Sequence, residues 1–127
     1  MAILGRLRPR VLPPVEVDTP SSLYDGRDKW SAENPRLSRA RLSEEVERDI
    51  VNHLAAAYQA LQLRDLARFD LRVRGDGSWV ALEVNIRPSI EPGGILEVAA
   101  TLEGLALRDV VLGLLAAAGG PGRRLWE

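Results

Sequence analysis

Two short alternating runs carry the side chains that could do chemistry together. Arg68-Phe69-Asp70-Leu71-Arg72-Val73 alternates charged and apolar residues, and Val80-Ala81-Leu82-Glu83-Val84-Asn85 sets a carboxylate and an amide among apolar neighbours. Period two is the pattern of a strand with one face buried. Phe69, Leu71, Val73, Val80, Leu82 and Val84 are therefore expected on one face, and Arg68, Asp70, Arg72, Ala81, Glu83 and Asn85 on the other. Between the runs, Gly75-Asp76-Gly77-Ser78 tolerates positive φ and reads as a tight turn. Aligning the apolar faces pairs Val73 with Val80, Leu71 with Leu82 and Phe69 with Val84, because a one-residue slip would turn a whole face over. The same register sets Asp70 opposite Glu83 and Arg68 opposite Asn85.

Carboxylates placed so have Cβ atoms roughly 5 Å apart and repel. Such a pair calls for a compensating cation or a proton on one member. With an Asn amide oxygen beside them, a hard divalent ion such as Mg²⁺ or Mn²⁺ is a natural occupant. Spacing alone equally fits a solvated outer face of a hairpin, with Arg68 and Arg72 neutralising Asp70 in ion pairs of little worth.

The elements that must position these residues are legible along the chain. Its 127 residues suffice for one domain, and a net charge of −1 implies no bulk attraction to nucleic acid or membrane. The absence of cysteine excludes disulfides, thiolate metal sites and a Cys nucleophile, and is compatible with a reducing cytoplasm. No apolar run suits a signal peptide or a membrane span. Ala2-Ile3-Leu4 and Val15-Glu16-Val17 read as short strands. Ser43 reads as the N-cap of a helix with Glu44 and Glu45 in its first turn and Val46, Ile50, Leu54, Tyr58 and Leu61 on its apolar stripe. His53, the sole histidine, falls off that stripe and reads as a surface residue. Two further helices are expected around Ile95–Leu102, ended by Gly104, and Leu107–Leu115, ended by Gly119-Gly120-Pro121, and they are expected to cover the apolar face of the hairpin. Residues 19–36 are long for a loop and hold Tyr24, Lys29 and Trp30. They read either as a linker with a packed Trp or as a closing lid in which Lys29, the sole lysine, faces a phosphate.

The runs Ala67-Arg68-Phe69-Asp70 and Leu82-Glu83-Val84-Asn85 resemble the paired catalytic strands of ATP-grasp carboxylate–amine ligases, above all the D-alanine–D-alanine ligases. The similarity runs from Ile3 to about Ala118. Leu4-Gly5, Leu12-Pro13-Pro14 and the Tyr24-Asp25, Lys29-Trp30 loop fit it too, with Trp30 where that family usually has tyrosine. The resemblance implies an α+β fold, the ATP-grasp C-terminal subdomain: a mostly antiparallel sheet with helices packed on one face. It implies one lobe over residues 1–120 with a lid-like loop at 19–36, and a tail at 121–127.

The implied activity is that of a Mg²⁺-dependent, ATP-binding catalytic lobe that activates a carboxylate as an acyl phosphate for attack by an amine. Asp70, Glu83 and Asn85 would bind Mg²⁺ or Mn²⁺, Arg68 would stabilise the transferring phosphoryl group, and Lys29 and Trp30 would cover the ATP, with Glu83 also in the nucleotide site. Tyr24, Arg87, Ser89 and Gly94 fall where a small amino-acid-like substrate would be held. Ser89 replaces a glycine of that family and Gly94 a serine, while Arg87 makes a Glu-x-Asn-x-Arg pattern that looks more like biotin-carboxylase-type members. The family's glycine-rich phosphate loop, adenine hinge and phosphate-holding lysines precede the matching stretch. The expectation is thus a cytoplasmic lobe that is incomplete alone and that meets a separate N-terminal lobe or self-associates, with neither nucleic acid nor membrane as partner. The rival expectations are a non-catalytic or degenerate binding lobe and a purely structural domain.

Overall fold

The computed structural model describes residues 1–5, 9–18 and 36–118. The elements are β1 (Ala2–Leu4), β2 (Arg10–Val11), β3 (Val15–Asp18), β4 (Arg36–Arg39), α1 (Glu44–Ala60), β5 (Leu66–Val73), β6 (Trp79–Asn85), α2 (Ile95–Leu102) and α3 (Leu107–Ala118). An antiparallel sheet runs in the order β2-β1-β5-β6, and β3 and β4 form a separate two-stranded ribbon. The α+β class and the antiparallel sheet are as expected. β2 and β4 are too short to show a period in the sequence, and Arg36 belongs to β4 rather than to the preceding loop.

The sheet is buried on both sides by alternate residues of the same strands. On one side Met1, Ile3, Ala67 and Phe69 meet Ile50, Leu54 and Tyr58 of α1. On the other Ala2, Leu4 and Leu66 meet Leu96, Ala99 and Ala100 of α2 and Val110 of α3. The apolar face of the hairpin is thus covered by α1, whereas α2 and α3 pack on the opposite face. Period two requires this: Ala2 and Leu4 cannot share a side with Ile3. Burying each large apolar side chain stabilises the fold by roughly 1.5–3 kcal/mol.

α1 begins as its sequence dictates. The Ser43 hydroxyl accepts a hydrogen bond from the Val46 N–H at 3.3 Å, and Glu44, Glu45 and Glu47 complement the positive end of the helix dipole. Leu61 closes the helix and is exposed instead of extending the stripe inward. Tyr58 is fully buried, and its hydroxyl donates to the Gly5 carbonyl at 2.6 Å, tying α1 to the end of β1.

Burial, then the nearby Asp65 carboxylate, push the Tyr58 hydroxyl up from its ordinary 10.0 to about 12. The unfolded chain releases this proton first, so Tyr58 makes stability fall as pH rises from near 10 towards 12. Tyr58→Phe leaves the Gly5 carbonyl unsatisfied and is expected to cost about 1–2 kcal/mol at neutral pH. It should also flatten the alkaline loss, as measured by urea unfolding across that range.

Candidate functional site

The site is built on the β5–β6 hairpin. Arg74 N–H donates to the Ser78 carbonyl at 2.8 Å and Gly77 N–H to the Arg74 carbonyl at 2.9 Å, closing the turn. The Asp76 carboxylate accepts from the Ser78 N–H at 2.9 Å and hydroxyl at 2.7 Å, which holds its pKa below the usual carboxylate range. Gly77 sits at φ +85°, where an L side chain is strained, and a Cβ there would approach Val46 to 3.0 Å.

The ladder pairs Arg68 with Asn85, Phe69 with Val84 and Asp70 with Glu83, as the alternation predicts. Beyond Asp70 the register shifts, so that Leu71 faces Ala81, Arg72 faces Val80 and Val73 faces Trp79. Leu82 is the extra residue of a β-bulge. The expected pairings of Leu71 with Leu82 and of Val73 with Val80 are thereby corrected. Trp79 and Ala81, not Val80 and Leu82, share the face of Phe69 and Leu71. Trp79 packs on the α1 side, its indole N–H donating to Asp49 at 2.7 Å, while Val80 and Leu82 are 45% and 60% exposed. A bulge strengthens the local twist and re-aims neighbouring side chains, here beside Glu83.

One face thus gathers Arg68, Asp70, Glu83 and Asn85. The Arg68 guanidinium grips Asp70 in a fork, Nε to Oδ1 at 2.7 Å and Nη2 to Oδ2 at 2.9 Å. The Asn85 Oδ1 accepts from the Arg87 N–H at 2.9 Å, tying the end of β6 to the following loop. Among the described residues no group of three or more His, Cys, Asp or Glu side chains converges on a metal position. Two carboxylates and an amide oxygen nevertheless suit Mg²⁺, which keeps several waters and takes one or two carboxylates plus substrate phosphates. The donor set fits the ion.

The same face is apolar under α2 and turns charged at Arg68. From there it opens on a cleft of about 510 Å³ between β5 and the β3 segment Pro14–Val17, with Ala40–Leu42 and Ile95 also lining it. Arg68 and Asp70 line this cleft, and so do Arg41, Arg72 and Arg74. Those three arginines were not singled out as site residues. Alternation puts Arg72 on the right face, but only the position of the β3 wall shows that a cavity lies over it. Arg87 and Ser89 are exposed in the loop after β6, where Pro88 is buried. Gly94 is the N-cap of α2, and a Cβ there would meet Glu91 Cγ at 2.8 Å. Tyr24, Lys29 and Trp30 lie outside the described residues, as does the tail at 121–127.

The family described as D-ala D-ala ligase C-terminus matches residues 1–116. The D-alanine–D-alanine ligase of Cupriavidus pinatubonensis is 33% identical over 108 residues, covering 84% of this chain and 33% of the relative. That of Pseudomonas fluorescens is 31% identical over 115 residues, covering 90% and 36%. The chain therefore spans about a third of the length of the curated relatives it matches. Among solved structures, D-alanyl-alanine synthetase A from Vibrio cholerae superposes with a TM-score of 0.74 at 20% identity, covering 91% of this chain and 36% of that one. D-alanine–D-alanine ligase from Bacillus anthracis complexed with ATP superposes with a TM-score of 0.67 at 22% identity, covering 87% and 35%. These likenesses show a shared fold.

The register tests itself through the bulge. Deleting Leu82 should restore a regular ladder that still pairs Asp70 with Glu83 and Leu71 with Ala81. Cross-strand backbone NOEs on both sides of the deletion should persist. The loss in stability should be on the order of 1 kcal/mol or less, since the side chain is 60% exposed.

Proposed function

The chain belongs to the D-alanine–D-alanine ligase C-terminus family, the C-terminal lobe of ATP-grasp ligases, and from that premise we propose that it is the Mg²⁺-dependent, ATP-binding catalytic lobe of a carboxylate–amine ligase acting on a small amino acid through an acyl phosphate. One observation carries the reading: the ladder sets Asp70 opposite Glu83 and Arg68 opposite Asn85 on a single face, and Arg68 and Asp70 open on the cleft. Asp70, Glu83 and Asn85 would hold the ion, which supplies positive charge where phosphoryl transfer develops negative charge. Arg68 adds a fixed donor for the same charge. Arg41, Arg72 and Arg74 give the cleft a cationic lining suited to a polyphosphate. Lys29 and Trp30 would close over the nucleotide, which Glu83 would also meet. Tyr24, Arg87 and Ser89 would meet the amino-acid substrate, and Gly94 withholds there the hydroxyl that serine would offer.

The chain spans about a third of its relatives' length, and the remaining parts of the ATP site would come from a complementary lobe or another copy. Val80, Leu82, Ile86 and Ile90, exposed along β6 and the loop after it, are apolar surface on which either could close. Among the described residues no helix is long and apolar enough to cross a membrane; the proposed reaction, on small soluble substrates, would place the lobe in the cytoplasm.

Millimolar Mg²⁺ or Mn²⁺ should raise the melting temperature by several degrees through linkage. Glu83→Gln should remove most of that shift, and Asn85→Ala should reduce it. Coincident melts of the unaltered chain with and without metal would refute the site.

Alone, the chain should ligate little or nothing, because all three phosphates must be held in line with the acceptor. Adding in trans the complementary N-terminal portion of a relative should restore ATP-dependent ligation. In that assembly Arg68→Ala should lower kcat more than it raises KM, whereas Lys29→Ala should affect both. Metal binding without turnover under any such supplementation would identify a binding lobe instead.

A further inference from the structure

Asp70 has two claimants. Residues 68 and 70 lie two apart on β5, so their side chains share a face, and the Arg68 fork closes on Asp70 within one strand without any loop movement. Both side chains are partly buried, at 20% and 34% exposure, so water screens their charges incompletely. The fork engages both carboxylate oxygens. A carboxylate offers about four acceptor directions, so room remains for a further contact. A dication taking that contact stands next to the guanidinium, and the two cations repel. Glu83, directly across the ladder, is exposed and outside the fork.

We infer that Arg68 is the metal-free counterion of Asp70, and that a divalent ion displaces it and turns it towards the anion in the cleft. The inference rests on the reading that Asp70 and Glu83 take a divalent ion. Without metal, the fork offsets the repulsion between the facing carboxylates. With metal, the ion takes over that neutralisation and the fork's N–H groups turn to a phosphate. Arg68 already lines the cleft, so the change needs rotation of one side chain and no strand movement. Metal and phosphate then bind synergistically. Loading the ion frees a donor for the phosphate, and a phosphate that holds the guanidinium leaves Asp70 to the ion.

The experiment is a Mn²⁺ titration of the full chain, read by calorimetry and by the electron paramagnetic resonance of free Mn²⁺. The unaltered chain is compared with Arg68→Gln and Asp70→Asn. Removing the competitor should tighten Mn²⁺ binding in Arg68→Gln by about fivefold, the scale that a partly exposed bidentate pair can carry. Asp70→Asn should weaken it. A second measurement needs no Arg68 variant: on adding Mg²⁺, the Arg68 Nε–H resonance of the unaltered chain should shift as the fork opens. Inorganic tripolyphosphate should bind more tightly with Mg²⁺ present than without. Equal or weaker Mn²⁺ binding by Arg68→Gln, or an Arg68 Nε–H that stays in place while the metal binds, overturns the inference and leaves the metal site standing. Failure of both the unaltered chain and Arg68→Gln to bind Mn²⁺ overturns the site and the inference together.

Discussion

Two carboxylates face each other because a backbone ladder leaves them no alternative. Asp70 and Glu83 repel, yet their separation is set by the pairing of β5 with β6 and not by the side chains. What holds them is the residue between Arg68 and Asp70. Phe69 is 4% exposed beneath α1 and pairs with Val84, and its backbone exchanges hydrogen bonds with Met1, just before β1. To relieve the repulsion by slipping one residue, the strand would have to pull Phe69 out of the core and push a charged neighbour in. That exchange costs far more than two partly solvated carboxylates repel. The core under α1 is therefore what keeps a charged site in register on the other face.

That other face is divided. Ala2, Leu4 and Leu66 lie under α2 and α3, and from Arg68 onward the face is charged. The boundary falls within a single strand. It matches the reach of α2, which also packs against the β3–β4 ribbon. The ribbon carries the cover further out, so β5 passes from a packed interface directly beneath a cleft. A polar site floored by a strand that is fully packed at one end is held more firmly than one built on loops. The arginine-rich lining follows from the same geometry, since Arg72 continues the face of Arg68 and Asp70, while Arg41 comes from the segment after β4 and Arg74 from just beyond the end of β5.

The parts legible in the sequence are those that a simple period or a cap determines. The facing of Asp70 and Glu83, the turn at Gly77 and the start of α1 at Ser43 all follow from local rules, and the structure has them. The bulge was not legible. Val80, Leu82 and Val84 alternate without a break, so nothing in the pattern marks Leu82 as an extra residue. The sign lies in Trp79, whose bulk and indole N–H find both a core and an acceptor on the α1 side. Nor could periodicity assign α2 and α3 to a face. An amphipathic helix shows which of its own sides is buried but not which side of a sheet it meets, and that depended on β1 being apolar in both directions. The cleft was illegible for a related reason: its wall opposite β5 is built by Pro14–Val17 and Ala40–Leu42, segments distant in sequence that carry no pattern pointing to β5.

The same reasoning separates the side chains held by strands from those carried on the loop after β6. Charge that acts at close range must be placed to within fractions of an ångström, and strands provide that placement: Arg68, Asp70, Glu83 and Asn85 all sit at ladder positions. The loop after β6, by contrast, lies outside the ladder. There Glu91 occupies the space that a side chain at Gly94 would need. Glycine at 94 and the position of Glu91 are therefore one packing solution. A side chain could be placed at 94 only by moving Glu91 as well, so the two positions can change only as a unit.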